Sequence, residues 1–117
     1  MTTENEFGED RLAATEEMCE RALAWMSRNT GALAQAVAHR QHIEQMVKAV
    51  EATEKANWKG EPAHVQEREA RASAPYKVAL DGFKVAVENE QKLRYTWQLC
   101  ETVIDVWRTT CANERKV

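Results

Sequence analysis

The chain has 117 residues and a formal net charge of −3, and glycine (4 residues) and proline (2 residues) are scarce among many alanine, glutamate, lysine and arginine residues. This composition favours one domain of long helices over a β-sheet fold. No apolar run approaches the roughly 18 residues of a membrane span, and the acidic start MTTENEFGED is unlike a signal peptide, so we expect a cytoplasmic protein without a membrane partner.

The chain is predicted to begin with a disordered acidic segment, residues 1–8, followed by a long helix over about residues 9–57. Apolar side chains recur there at spacings of three and four, and acidic residues crowd the first turns, as the helix dipole prefers. Gly31 costs about 1 kcal/mol relative to alanine inside a helix, and Thr30 before it is a possible cap. Because the apolar pattern resumes at Leu33, we predict one helix that is weakened or kinked near Gly31, with a break as the alternative.

Gly60 and Pro62 are expected to end the first helix. Pro62 also suits the first turn of a new helix, because the N–H that proline lacks would have no partner within the helix there. A loop and a short helix are predicted for about residues 58–73, with the helix over residues 64–72. Ser73 precedes an Ala-Pro pair, so we expect it to cap the next helix.

A second long helix, over about residues 75–114, is predicted from apolar residues that recur almost to the end of the chain. The predicted fold class is all-α: a long antiparallel helical hairpin, in which a loop and a short helix join two long helices. These elements form one helical domain over residues 9–117.

The last helix carries more apolar surface than one neighbouring helix can cover. Apolar residues between positions 95 and 107 wrap most of its circumference, and a helix that is apolar nearly all round must be buried nearly all round. We therefore predict a homo-oligomer, a helical assembly whose copy number the irregular heptads leave open. The predicted interface residues are Trp97, Leu99, Cys100, Val103, Ile104, Val106 and Trp107.

Residues with catalytic or metal-binding potential form no recognisable motif. Cys19, Cys100 and Cys111 lack CxxC spacing and are expected to be buried reduced thiols. His39 and His42 lie three residues apart, and exposed polar positions on a long helix suit them better than a metal site. Since the sequence has no GxSxG, P-loop or HExxH motif, we expect no enzyme activity, no cofactor and no metal.

The segment KANWKGEPAHVQEREARASAPY, residues 55–76, places cations around an aromatic residue between two helices. Single-stranded nucleic acid binds such surfaces, because bases stack on the ring for roughly 1–3 kcal/mol each while Lys and Arg neutralise phosphates. In the alternative, Trp58 packs the turn onto the helix ends and the basic residues form salt bridges. The predicted nucleic-acid-binding residues are Lys55, Trp58, Lys59, Arg68, Arg71 and Lys77, and Arg94, Arg108 and Arg115 are either additional phosphate contacts or interface residues.

The stretches QEREARASAPYKVALDGFKVAV, KLRY and VIDVWRTTCANERK resemble a family of small helical phage and prophage proteins, mostly of unknown function. The resemblance is carried by residues 62–117 and extends over roughly residues 20–117. The layout also resembles that of phage recombination mediators of the UvsY type: a long helix, a charged loop with a glycine, a short basic helix, and a long last helix with a cysteine. That resemblance implies a helical oligomer in the bacterial host cytoplasm that binds single-stranded DNA and helps to load a recombinase.

The leading hypothesis is a phage-encoded accessory protein of DNA recombination or replication that binds single-stranded DNA as an oligomer. The alternative is a protein-binding adaptor or an inhibitor of a host nuclease or defence complex. The acidic stretch over residues 4–20 favours this alternative, because acidic ends can occupy cationic DNA-binding surfaces. A structural assembly protein is a further alternative, which the surplus apolar surface supports.

Overall fold

The computed structural model describes residues 13–115. Those residues form three α-helices and no β-strand: α1 is Glu16–Ala56, α2 is Ala63–Ala72 and α3 is Ala74–Arg115. The predicted all-α class and the order of long helix, short helix and long helix are confirmed. Of these three helices, none combines the length and the apolarity that a span across a lipid bilayer needs.

α1 begins at Glu16, later than the predicted start near residue 9. The Thr15 hydroxyl accepts a hydrogen bond from the Met18 N–H at 3.1 Å, which is the geometry of an N-cap. Acidic residues occur near residue 9 and near residue 16, and the capping hydroxyl of Thr15 sets the start of the helix at Glu16. The predicted disorder of residues 1–8 lies outside the described residues.

α1 continues through Gly31 without a break, so the prediction of one long helix is confirmed. The two polar side chains before this glycine bond back into the helix instead of capping a new one. Asn29 Nδ2 donates to the Trp25 carbonyl at 2.8 Å, and the Thr30 hydroxyl donates to the Met26 carbonyl at 2.7 Å. Both bonds span four residues, so they stay within the turns of a continuous helix.

Ser73 caps α3 as predicted. Its hydroxyl accepts a hydrogen bond from the Tyr76 N–H at 3.4 Å and donates to the Ala70 carbonyl at 2.6 Å. The Ala70 carbonyl in the last turn of α2 also accepts the Ser73 N–H at 3.2 Å. Ser73 therefore bonds to the end of α2 and to the start of α3. The short helix begins one residue earlier than predicted, at Ala63.

The chain divides into two compact units. The terminal unit comprises Met1–Thr30 and Arg94–Val117, and the turn unit is Gly31–Leu93. Each unit contains one part of α1 and one part of α3. The prediction of one domain over residues 9–117 is not tested by this division and stays a prediction.

In the terminal unit, α1 and α3 are held together by small side chains and an aromatic pair. Trp25 and Trp97 meet edge to face with ring centroids 6.4 Å apart, a favourable aromatic geometry. The buried side chains are Ala14, Cys19, Ala22 and Cys100. Ala14, just before α1, lines a pocket with Val106, and Trp25 lines another with Thr96, so α1 and α3 run antiparallel in this unit.

In the turn unit, α1 and α3 are joined by an ion pair. Arg40 of α1 donates to Glu90 of α3 through Nε and Nη2, both at 3.2 Å. Arg71, at the end of α2, contacts Glu51 of α1 at 3.3 Å. The first contact joins α1 to α3, and the second joins α1 to α2.

The core is built from small residues. The buried apolar residues are all alanine or cysteine, and no large side chain of the described residues is fully buried. By contrast, many large apolar side chains are exposed: Met18, Leu23, Met46, Trp58, Val78, Leu80, Val85, Tyr95 and Leu99. Met18 and Leu99 line one apolar groove, and contiguous exposed apolar surface is the kind that binds another protein.

Candidate nucleic-acid interface

The turn after α1 has a defined backbone. The N–H groups of Asn57, Trp58 and Lys59 each bond to the carbonyl three residues earlier, at 3.0–3.4 Å. The Glu61 N–H then bonds to the Trp58 carbonyl at 3.0 Å, which closes a four-residue turn. Gly60, the third residue of that turn, has a φ of 100°, a left-handed conformation that glycine adopts without steric cost.

α2 starts without a side-chain cap. Pro62 is its N-cap residue, and the Pro62 carbonyl accepts the Val65 and Gln66 N–H groups at 3.0 and 3.1 Å. The Gln66 side chain donates to the Glu61 carbonyl at 2.9 Å. The short helix is thereby tied to the turn that precedes it, so the turn is fixed on both sides.

Trp58 and Lys59 are the residues that this turn displays. The Trp58 side chain is 41% exposed and Lys59 is exposed. Neither side chain has a hydrogen bond or ion pair to any of residues 13–115. The turn therefore offers an accessible aromatic face beside an uncompensated positive charge.

Three other cations of the predicted surface, Lys55, Arg68 and Arg71, are engaged in ion pairs. Lys55 contacts Glu51 at 3.3 Å, which lies four residues earlier on α1. Arg71 contacts Glu51 at 3.3 Å and Glu67, four residues earlier on α2, at 2.6 Å. Arg68 contacts its neighbour Glu69 at 3.3 Å, with the Arg68 side chain two-thirds exposed.

Glu51 is the shared acceptor that holds α2 against α1. Burial of its carboxylate favours the neutral form, but the hydrogen bond from Lys55 and the charges of Arg71 and Lys55 together lower the pKa of Glu51. The Lys55 contact has an ordinary four-residue helix spacing that the sequence displays. The Arg71 contact spans twenty residues, and no local pattern reveals it.

The remaining predicted cations lie apart from the turn along the chain. Lys77 is exposed in the first turn of α3, within the turn unit, and has no ion pair with a described residue. Arg94, Arg108 and Arg115 belong to the terminal unit. Arg108 contacts Asp105 at 3.7 Å. The turn unit thus carries all six residues of the principal predicted surface.

The predicted oligomer interface of α3 is partly occupied within the chain. Cys100 is buried and Trp97 contacts Trp25, so α1 already covers these two positions. Leu99 is 62% exposed. The other predicted interface residues are half-buried: Val103, Ile104, Val106 and Trp107. Nothing in one chain tests their role between copies, which stays a prediction.

An open apolar groove lies beside Leu99 in the terminal unit. Its volume is about 390 Å³, and Met18, Trp25, Leu99 and Val103 line it together with Cys100. Burial raises the pKa of the Cys100 thiol, so the side chain stays neutral and acts as a small apolar residue. Arg21 also lines the groove, but its walls are mainly apolar and suit packing better than chemistry.

The three cysteines are free thiols, with Cys19 and Cys100 buried and Cys111 half-buried. His39 and His42 are exposed, as predicted. Residues 13–115 contain no group of three His, Cys, Asp or Glu side chains positioned to hold a metal ion.

No protein-family model matches this chain, and neither a curated protein nor a solved structure is significantly similar to it. The functional conclusion therefore depends on the surfaces described above.

Proposed function

We propose that this chain is a phage-type accessory protein of DNA recombination or replication that binds single-stranded DNA as a homo-oligomer. The observation that supports this function is the pair Trp58 and Lys59, exposed side by side in a turn that backbone hydrogen bonds fix. Because the backbone of this turn is already ordered, a base that stacks on Trp58 has to order little beyond the side chain itself. Lys59, which has no carboxylate partner among the described residues, is available to a phosphate.

The paired cations add to this surface at a small cost. Surface ion pairs are worth about 0–1 kcal/mol, so a phosphate can replace Glu69 as the partner of Arg68 with little loss. Arg71 also positions α2 through Glu51, and Lys55 contacts the same carboxylate, so both are expected to contribute less to DNA binding. The expected order of importance is Trp58 and Lys59 first, Arg68 next, and Lys55 and Arg71 last.

Oligomerisation is the part of the proposal that makes such a small surface effective. One turn offers one ring and few free cations, which bind a short stretch of nucleic acid weakly. Several copies on one strand act at a high effective concentration, which raises the overall affinity without new contacts. The exposed large apolar side chains and the core of alanine and cysteine support an assembly of this kind.

Fluorescence anisotropy with a labelled oligonucleotide of about 30 nucleotides at low salt tests the proposal. Trp58→Ala is expected to weaken binding about 5- to 150-fold, since a stacked base is worth roughly 1–3 kcal/mol. Lys59→Glu is expected to weaken binding and to reduce its salt dependence. Lys48→Glu, an exposed lysine elsewhere on α1, is the matched control. The DNA assignment is wrong if the native chain does not bind the oligonucleotide, or if a Trp58→Ala/Lys59→Glu variant binds it as tightly as the native chain does.

A protein-binding adaptor or an inhibitor of a host nuclease or defence complex is the second candidate. It is favoured by the exposed acidic start of α1, at Glu16, Glu17 and Glu20, which continues the acidic stretch before it. A recombinase or another host protein is the partner expected for either candidate. The two candidates are distinguished by capturing host proteins from nuclease-treated lysate on the native chain and on a variant with glutamine at these three positions. A host partner lost in the glutamine variant favours the adaptor, whereas a retained partner or none argues against it.

A further inference from the structure

Two valines of α3 are exposed on one face of the helix in the turn unit. Val78 is 71% exposed and Val85 is 55% exposed. They lie seven residues apart, which is close to two helical turns, so they share one side of α3. This side is roughly 110° around the helix from the buried Ala86 and Glu90, at 3.6 residues per turn. α1 therefore leaves the valine face uncovered.

Charges of alternating sign accompany the two valines. Lys77, Asp81, Lys84 and Glu88 are exposed along this part of α3. Within the described part of the chain, none of the four forms an ion pair. The order along the helix is positive, negative, positive, negative.

This pattern is complementary to itself when it is reversed about Gly82. Reversal brings Lys77 to the place of Glu88, Val78 to that of Val85, and Asp81 to that of Lys84, each to within one residue. A two-fold interface has this property, because residue i of one copy meets residue j of the other and j meets i.

We propose that this face of α3 pairs with the same face of a second copy, antiparallel, about a two-fold axis beside Gly82. Each Asp81 then lies opposite Lys84 of the second copy, and each Val78 lies opposite Val85. The inference rests on the homo-oligomer of the proposed function but not on DNA binding. It adds an interface in the turn unit to the one predicted near Leu99.

Gly82 suits a position at the axis of two crossing helices. It lies inside α3, and a Cβ placed on it would meet no atom of the same chain within 4 Å. Packing within one chain therefore does not require glycine here. The distance between two helix axes depends on the side chains at their contact, so a glycine at the axis lets two copies of α3 approach closely.

Alternating charges at these spacings also stabilise an isolated helix weakly. That role requires no symmetry about a centre and no second molecule. It also predicts no cross-link between copies, so the two explanations differ in what an experiment measures.

Cysteine cross-linking of the full chain locates the axis. In a Cys111→Ser background, which removes the half-buried thiol, Gly82→Cys is expected to give a disulfide-linked dimer under mild oxidation. Leu80→Cys is the control, since residue 80 is exposed but roughly 150° around the helix from the valine face. A Gly82→Cys chain that cross-links no faster than the Leu80→Cys chain overturns the proposal.

Charge reversal tests the pairing across the axis, with sedimentation equilibrium as the measurement. Asp81→Lys and Lys84→Asp each place like charges opposite one another twice, so each is expected to raise the dimer dissociation constant about tenfold or more. The double variant restores both pairs and is expected to return within about threefold of the native chain. Circular dichroism checks that all variants keep their helix content. Unchanged single variants, or a double variant as weak as the singles, overturn the proposal.

The DNA-binding proposal fails or stands independently of this result. Lys77 belongs to both proposals: it faces Glu88 across the axis in one and a phosphate in the other. Dimerisation that is lost in Lys77→Glu and restored by adding Glu88→Lys supports the interface, whatever the anisotropy experiment shows. Loss of oligonucleotide affinity without change in dimerisation assigns Lys77 to DNA and removes it from the interface.

Discussion

Arg40 and Glu90 form a bidentate ion pair between α1 and α3, with both hydrogen bonds at 3.2 Å. Glu90 is only 3% exposed, and Arg40 also contacts Glu44 at 3.2 Å. The hydrogen bond with Glu90 raises the pKa of Arg40, against the opposing effect of burial. A slip of α3 along α1 would separate the two charges and leave a carboxylate buried. The pair therefore fixes the register of the two helices in the turn unit.

Arg40→Met is expected to destabilise the chain much more than Arg21→Met does. The first substitution removes both Arg40 hydrogen bonds from a carboxylate that is only 3% exposed, which is costly. The second removes an exposed pair between Arg21 and Glu17 at 3.7 Å, which contributes little. Urea unfolding, followed by circular dichroism, should show that Arg40→Met lowers the unfolding free energy at least about three times as much as Arg21→Met does. Equal losses would contradict the role of Arg40 in holding the register.

Two glycines should respond to alanine in opposite ways. Gly60 has a φ of 100° in the turn, so Gly60→Ala is expected to cost about 1–2 kcal/mol. Gly31 lies inside α1 with nothing within 4 Å of an added Cβ, so Gly31→Ala is expected to add about 1 kcal/mol of stability. Chemical denaturation of both variants measures the two signs. A stabilising Gly60→Ala would contradict the turn geometry.

Ser73→Ala should destabilise the junction between α2 and α3. The substitution removes the acceptor of the Tyr76 N–H and the hydroxyl donor to Ala70, and loss of an N-cap costs about 1 kcal/mol. Ser27→Ala is the control, because Ser27 is exposed in the interior of α1 and alanine is the better helix former there. Thermal unfolding is expected to shift down for the first variant and slightly up for the second.

The parts of the fold that follow from neighbouring residues could be predicted from the sequence. Ser73, Gly60 and Pro62 determine helix ends through contacts within a few residues, so their roles are visible in the sequence. The start of α1 was harder, because acidic residues near position 9 and near position 16 both suit a first turn. Only the hydroxyl of Thr15 distinguishes them.

The parts that depend on packing between distant residues could not be predicted. Arg40 and Glu90 are fifty residues apart, and Glu90 resembles any other acidic residue of a solvated helix. For the candidate site, the sequence identifies Trp58 and Lys59 but not that Glu51 engages Arg71. Charge composition indicates how many cations a segment has, whereas the helix register determines which of them already have a partner.

The stability of the chain should fall in acid through Glu51. Lys55 and Arg71 lower its pKa in the folded state below the ordinary value of 4.5, although burial opposes them. A carboxyl whose pKa is lower in the folded state than in the unfolded state stabilises the fold at pH values above its unfolded-state pKa. This contribution is lost as the pH falls through the folded-state pKa. The unfolding free energy of the native chain should therefore exceed that of Glu51→Gln at pH 7, and the difference should shrink below pH 4.5. Urea titrations of both chains at a series of pH values measure it, and a constant difference would contradict the assignment of Glu51 as the charged partner of Lys55 and Arg71.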